Sequence, residues 1–298
     1  MVIMQLKGGL GNQLFQYSLG RCLSVKKNTR LFLDISFFDD RAHEDFLLPH
    51  SKFMLNELDL DYTICNDHDS DRLVKKSRKA FSRIKRKIDP YNTCLFIEKG
   101  IGFDPKVFNL PKNVFVTGWF QSEKNFFPVR DLIRKEIRFK KIEDRANELM
   151  ASKINSVNSV SIHIRRTDYF KNDESESYFG ILGLNYYKKC VDFMRDKVFD
   201  PHFFIFSDDI DWVRKKFKIS ENITIVDINV NAHPAQDMRL MSLCKHNIIA
   251  NSSFSWWAAY LNCNPDKIVL APSLWFGTDP KSIKDIVPDS WIKIDNQW

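Results

Sequence analysis

Val160-Ser161-Ile162-His163-Ile164-Arg165-Arg166-Thr167-Asp168-Tyr169 reads as a short apolar strand that runs directly into two arginines. It opens a regular series. Apolar runs recur at 203–206, 223–226, 247–250 and 268–270, and helical candidates lie between them at 185–196, 210–217, 235–245 and 253–262. Strand and helix alternating at this spacing predict a parallel sheet covered on both faces. Ligands of such sheets bind at the carboxyl ends of the strands, where the two arginines stand.

Upstream, the pattern is repeated less regularly. Residues 2–6 read as a strand, and Gly8-Gly9-Leu10-Gly11-Asn12-Gln13 as a tight turn into a helix over 12–26. A second strand is expected at 31–34. Residues 35–112 look irregular. A strand at 114–117 ends in Gly118-Trp119-Phe120-Gln121, and a charged helix is expected over about 128–153. The division between two α/β domains is placed near residue 155, giving 1–155 and 156–298.

Several residue types at these strand ends suit an anionic ligand. The glycines let backbone approach a ligand ahead of the free N–H groups of a helix start, although a plain strand-to-helix turn would use them equally. Strand alternation puts His163 and Arg165 on one side. Two arginines there are costly to desolvate without an anion, which a diphosphate would supply, or an ion pair, for which Asp168 is at hand as the partner of Arg166. Ser207 and Asp208 fit either a helix cap or a contact to a sugar or base edge. Asp237 suits the positive start of its own helix. Asn251-Ser252-Ser253 opens the next helix as a second anion cradle, and Trp256 and Trp257 behind it read as core.

Composition narrows the class. The 298 residues are 44% hydrophobic and 28% charged, too apolar for a disordered chain. Lys and Arg number 45 against 38 Asp and Glu, but nine basic residues and no acidic one fall between Arg72 and Lys87. Without that segment the balance is slightly acidic, so nucleic acid is not the expected partner. The segment, with Val74, Phe81, Ile84 and Ile88 near helical spacing, fits a solvated helix or one lying on an anionic bilayer. Six scattered cysteines without a C-x-x-C pair, and no secretory start, predict reduced thiols in the cytoplasm. No zinc motif or Walker lysine is present. The D-x-D matches at Asp59/Asp61 and Asp69/Asp71 flank an irregular region and are short enough to arise by chance.

Five segments in order are specific together: Gly8 to Tyr17 (GGLGNQLFQY), Gly118 to Glu123 (GWFQSE), His163 to Tyr169 (HIRRTDY), Phe206 to Asp209 (FSDD) and Asn251 to Trp257 (NSSFSWW). They resemble the bacterial α-1,2-fucosyltransferases of glycosyltransferase family 11, over nearly the whole chain. The resemblance implies a GT-B-like α/β fold of two Rossmann-like domains facing across a cleft: 1–155 on the acceptor side, with a basic helical insertion at about 70–90, and 156–298 binding GDP-fucose. It implies inverting transfer of fucose to O2 of a terminal β-galactose, with no required metal or other cofactor. Arg165 would grip the β-phosphate, with Gly9, Gly11 and Asn12 near it. His163 and Asp237 would meet the guanine, and Ser252 or Ser253 the diphosphate; Asp208 and Asn251 complete the donor set. Asp168, Asp173 and Glu174 are the candidate bases, and Trp119 and Gln121 would line the acceptor side. The acceptor would be a β-galactoside, free or lipid-linked, met in the cytoplasm or at the inner face of the plasma membrane. The rival readings are another nucleotide-sugar transferase and a non-catalytic membrane or nucleic-acid binder acting through 72–88.

Overall fold

The apolar runs of the C-terminal half are strands because both faces of each must be covered. In the computed structural model they are parallel, and all but the edge strand at Ile223–Ile225 are largely buried. The structure describes residues 1–39, 52–66, 73–74, 87–100, 102–141, 144–166, 180–218, 222–229, 233–276 and 285–296. The chain divides into two compact units, Met1–Arg138 and Phe139–Trp298.

In the first unit, β1 (Val2–Gln5), β2 (Leu31–Asp34), β3 (Leu95–Ile97) and β4 (Val114–Thr117) form a parallel sheet in the order β2-β1-β4-β3. Helix α1 (Leu10–Lys26) crosses from β1 to β2 and is buried on most sides, Gln13 and Gln16 included. Those two glutamines stay satisfied by tying loops to the helix. Gln13 donates to the carbonyls of Gly8 and Lys52 and accepts from the Met54 amide. Gln16 accepts from the Lys7 amide and donates to the Gly118 carbonyl. A short helix, α2 (Arg130–Glu136), packs on α1 through Glu136, which receives Arg21 at 2.7 Å and the Tyr17 hydroxyl at 3.1 Å.

The second unit begins with α3 (Arg145–Asn155), capped by Asp144, whose carboxylate accepts from the Ala146 amide. The division between units therefore lies ahead of the one expected at residue 155, because α3 packs against elements of the second unit. The single helix expected over 128–153 is also replaced. Pro128 sits in a 3-10 turn, α2 ends at Glu136, and a fresh cap at Asp144 starts α3.

Six parallel strands follow: β5 (Asn158–Ile164), β6 (Pro201–Ser207), β7 (Ile223–Ile225), β8 (His246–Ile248), β9 (Val269–Pro272) and β10 (Ile292–Ile294), in the order β10-β9-β8-β5-β6-β7. The helices are α4 (Leu184–Lys197), α5 (Ile210–Lys216), α6 (Pro234–Leu243) and α7 (Ser253–Leu261). This is the strand order of a dinucleotide-binding Rossmann sheet, with the direction of winding reversing between β5 and β8. Val160, Ile162, Phe203, Ile205, Ile248 and Leu270 fill the sheet, with Tyr187, Val191 and Met194 of α4 against it. Trp256 and Trp257 are fully buried, as core.

Candidate functional site

A crevice opens where strand order reverses, because the two flanking connections leave the sheet in opposite directions. In the second unit that point is the β5/β8 pair, and its two loops carry His163-Ile164-Arg165-Arg166 and Asn251-Ser252-Ser253. The rings of His163, at the end of β5, and Phe254, in the first turn of α7, lie 5.6 Å apart.

Register decides how the arginines are held. Ile164 sits opposite Ser207, so the next residues, Arg165 and Asp208, leave the sheet side by side. Arg165 Nη1 lies 3.3 Å from Asp208 Oδ2, and Asp208 Oδ1 accepts from the Arg166 amide at 2.9 Å. Asp208 thus fixes the turn and one face of the Arg165 fork, and the Arg165 side chain keeps 30% of its surface exposed. Arg166 is more enclosed. Its Nε lies 3.4 Å from Asp209 Oδ2 and its guanidinium stacks 3.9 Å from the centre of the Trp212 ring. Among the described residues, Asp209 is an ion-pair partner of Arg166; the Asp168 expected beside it is not among them, nor are Asp173 and Glu174. Asp209 is also the cap of α5, accepting from the Trp212 amide, and Ser207 Oγ accepts from the Asp209 amide.

His163 is buried, and burial, reinforced by Arg165, pushes its pKa down to about 4. The ring is therefore neutral at physiological pH. Its Nδ1 has no hydrogen-bond partner among the described residues. A buried orphan of this kind costs about 1–3 kcal/mol unless a ligand completes it. Asp237, in the first turn of α6, is pushed up to about 6 by burial, against the opposing bond from Asn229 Nδ2 at 2.8 Å. Asn229 in turn exchanges reciprocal bonds with the buried Asn147 of α3, so the carboxylate is fixed by a chain of amides. Sequence reading missed that chain, since its members lie 82 positions apart.

At the start of α7, Ser252 is the cap residue and its Oγ accepts from the Phe254 amide at 3.3 Å. Ser253 is half-buried on the first turn. Asn251 holds the loop: its side chain donates to the carbonyls of Gly180 and Trp275. Its amide shapes the cradle from behind, whatever else it meets.

The first unit has its own reversal point, between β1 and β4. Gly8 there has φ +75°, and a Cβ on it would stand 2.7 Å from Asn12 Nδ2 and 3.1 Å from the Trp119 ring. The two motifs noted upstream thus meet. Gln121 donates to Asn12 Oδ1 at 2.7 Å, and Lys7 Nζ lies 4.4 Å over the Trp119 ring. Gly9 is the exposed cap of α1, and Gly11 is buried in its first turn, which carries no acidic residue. Glu98 had no sequence signal. It follows β3, and its carboxylate accepts from the amides of Trp119 and Phe120.

Of the D-x-D residues, Asp59 pairs with Arg138 at 3.2 Å, while Asp69 and Asp71 lie outside the described residues. Among the described residues no group of three His, Cys, Asp or Glu is arranged to hold a metal ion. Most of the basic segment, with Phe81 and Ile84, lies outside them too. At its ends Val74 packs on the Ile3–Phe115 core, whereas Ile88 is exposed. No helix among the described residues is long and apolar enough to cross a membrane.

Known proteins resemble this chain in fold and, at about a third of positions, in sequence. A point mutant of FUT1 from Arabidopsis thaliana, solved in complex with GDP, superposes with a TM-score of 0.53 at 11% identity, covering 98% of this chain and 75% of that one. The fold is accordingly the GT-B-like α/β type with parallel sheets. The chain is 33% identical over 311 residues to the O-antigen biosynthesis glycosyltransferase WbnK of Escherichia coli, covering 97% of this chain and 99% of that protein. It is 33% identical over 304 residues to an alpha-1,2-colitosyltransferase of Escherichia coli, covering 99% of both. A shorter stretch, 38% of this chain, is 32% identical to 31% of galactoside alpha-(1,2)-fucosyltransferase 1 of Sus scrofa. The profile of Glycosyl transferase family 11 spans residues 98–295, taking in the Glu98–Trp119 turn and every strand end of the second unit. A profile match over two thirds of the chain, with 33% identity along nearly the whole length of two glycosyltransferases, makes this protein a member of glycosyltransferase family 11.

Proposed function

We propose that the chain transfers fucose from GDP-fucose to O2 of a terminal β-galactose, with inversion, during O-antigen or related glycan synthesis. The observation that carries the donor reading is the β5/β8 crevice. It offers a half-exposed guanidinium already oriented by Asp208, a helix start with small hydroxyl residues, and an orphaned buried imidazole. A nucleoside diphosphate suits all three.

The chemistry follows from charge. When the C1–O bond of the donor sugar breaks, the electron pair goes to the β-phosphate oxygen, and the ring gains oxocarbenium character. Arg165 and the amides at the start of α7 are fixed before that charge develops, so they stabilise it with little reorganisation. A neutral His163 and the carboxylate of Asp237 would read the base through its N–H and ring-nitrogen edge. The acceptor hydroxyl attacks from the opposite face and gives up its proton. Asp168, Asp173 and Glu174 are the carboxylates assigned to that step, which single substitutions would sort. Trp119, with its ring against Lys7, offers the flat apolar face that galactose prefers. In this reading the fixed residues carry the charge stabilisation and transfer proceeds without a divalent metal. The enzyme would act in the cytoplasm, on a free or lipid-linked galactoside reached at the membrane's inner face.

A second reading concerns the donor sugar alone. The likeness to the colitosyltransferase extends end to end, so colitose is the competing donor. The deciding experiment is release of the nucleoside diphosphate in EDTA (GDP from GDP-fucose, GDP-colitose and GDP-mannose, UDP from UDP-galactose) against β-galactosides, with linkage analysis of the product. Fucosyl transfer to O2 in EDTA supports the proposal. Transfer only from GDP-colitose, only with added metal, or to another hydroxyl overturns it in that respect.

A further inference from the structure

Trp119 and Phe120 lie in a turn that is tight and locally strained. Phe120 has φ +52°, in the left-handed region that is costly for an aromatic residue, by about 1–3 kcal/mol. The turn persists because it is over-determined. Glu98 Oε2 accepts from the Trp119 amide at 2.5 Å, and both its oxygens accept from the Phe120 amide at 3.1 Å. From the other side the Phe120 carbonyl accepts from the Asn125 side chain at 3.0 Å and the Ser122 amide at 2.7 Å. Position 118 has to be glycine for the carboxylate to come this close, since a Cβ there would stand 2.4 Å from Glu98 Cβ and 2.7 Å from Oε2. The residues on either side of Phe120 are then aimed into the β1/β4 crevice, Trp119 toward Lys7 and Gly8, and Gln121 onto Asn12.

We propose that Glu98 is a positioning residue for the acceptor: by clamping two consecutive amides it holds Phe120 in the left-handed conformation and so sets Trp119 and Gln121 where the sugar is received. Its carboxylate oxygens are engaged by the two backbone amides. The proposal rests on the reading of the β1/β4 crevice as the acceptor side, and it extends that reading to a residue outside the crevice. Burial also disfavours the ionised form of Glu98, opposed by the two amides and by Lys7.

Glu98→Gln is the sharp test. The amide has one acceptor oxygen, and its NH2 would face a backbone donor, so one of the two clamp bonds is lost. In the purified full chain, initial rates of GDP release are measured against lactose, together with hydrolysis of GDP-fucose without acceptor. The expected result is an acceptor KM raised about tenfold, with donor KM and acceptor-independent hydrolysis within twofold of wild type. Glu98→Asp, which keeps a carboxylate but shortens it, should recover part of the acceptor KM. If Glu98→Gln does not fold, Asn125→Ala loosens the same turn from its other side and should show the same split. An unchanged acceptor KM in a folded variant, or equal losses in transfer and in acceptor-independent hydrolysis, overturns the proposal. Wild-type protein that hydrolyses the donor but ignores every galactoside overturns instead the acceptor reading beneath it.

Discussion

Replacing Arg165 by alanine separates what the guanidinium does for the fold from what it does for the reaction. In the resting protein its described ion-pair partner is Asp208, at 3.3 Å, with side chains 30% and 17% exposed. A pair this open to solvent contributes about 1 kcal/mol or less. Asp208 also keeps its bond from the Arg166 amide, so the turn is not left without a clamp. For a unit of this size the thermal midpoint should therefore fall by about 4 °C at most. Turnover should fall far more. A fixed cation facing the charge that develops on the departing diphosphate is worth about 3 kcal/mol, by analogy with an oxyanion donor, which is roughly 150-fold in rate. Arg165→Lys restores a point charge without the bidentate fork and should fall between the two. The assay is GDP release at saturating GDP-fucose and lactose, paired with a thermal melt. A folded Arg165→Ala enzyme turning over within about threefold of wild type would falsify the assignment of the leaving-group charge to this residue.

His163→Phe removes the orphaned Nδ1 while keeping a ring beside Phe254. The melting temperature should hold or rise, while GDP affinity measured by calorimetry falls, and a parallel loss of both would sink the reading. Asp237 makes stability depend on pH with a definite sign. Its folded pKa of about 6 exceeds the unfolded value of 3.8, so the native state holds the proton more tightly. This contribution to stability is full below about pH 4 and is lost as pH rises through 6, by about 3 kcal/mol. Asp237→Asn should flatten that part of the stability profile between pH 4 and 7, and an unchanged slope would refute the burial account. Gly8→Ala should lower stability by about 1–3 kcal/mol, through its positive φ and the contacts with Asn12 and Trp119. Urea titration of that variant with an unaltered midpoint would count against the tight packing of the two motifs.

The strands of the second unit were legible because parallel strands buried on both faces read as continuous apolar runs. β10 was not, since Ile292-Lys293-Ile294 is a three-residue edge strand with Ile292 and Lys293 both exposed. The helix expected over 128–153 failed for a local reason: periodicity passes through Pro128 and Asp144, but a 3-10 turn and a helix cap interrupt it. At the site, the strand-end residues could be named in advance, as position along a strand is a one-dimensional property. Their partners could not. That Arg165 meets Asp208, that Asn147 supports Asp237 through Asn229, and that Glu98 reaches Trp119 all depend on which strands and helices are neighbours, which no run of sequence states.

The order of strands in the second unit also bears on how fast the molecule is made and lost. Most pairings there join neighbouring strands across one crossover, but the reversal point does not: Ser161 of β5 meets Asn247 of β8 from 86 positions away. That pairing closes a long loop before it gains contacts, which slows folding. The crevice between Arg165 and Ser252 exists only once that late closure is complete. A nucleotide seated on both its lips would have to be released before β5 and β8 part, so occupancy should lengthen the lifetime of the folded state, and protease digestion in GDP would read this as a slowed rate.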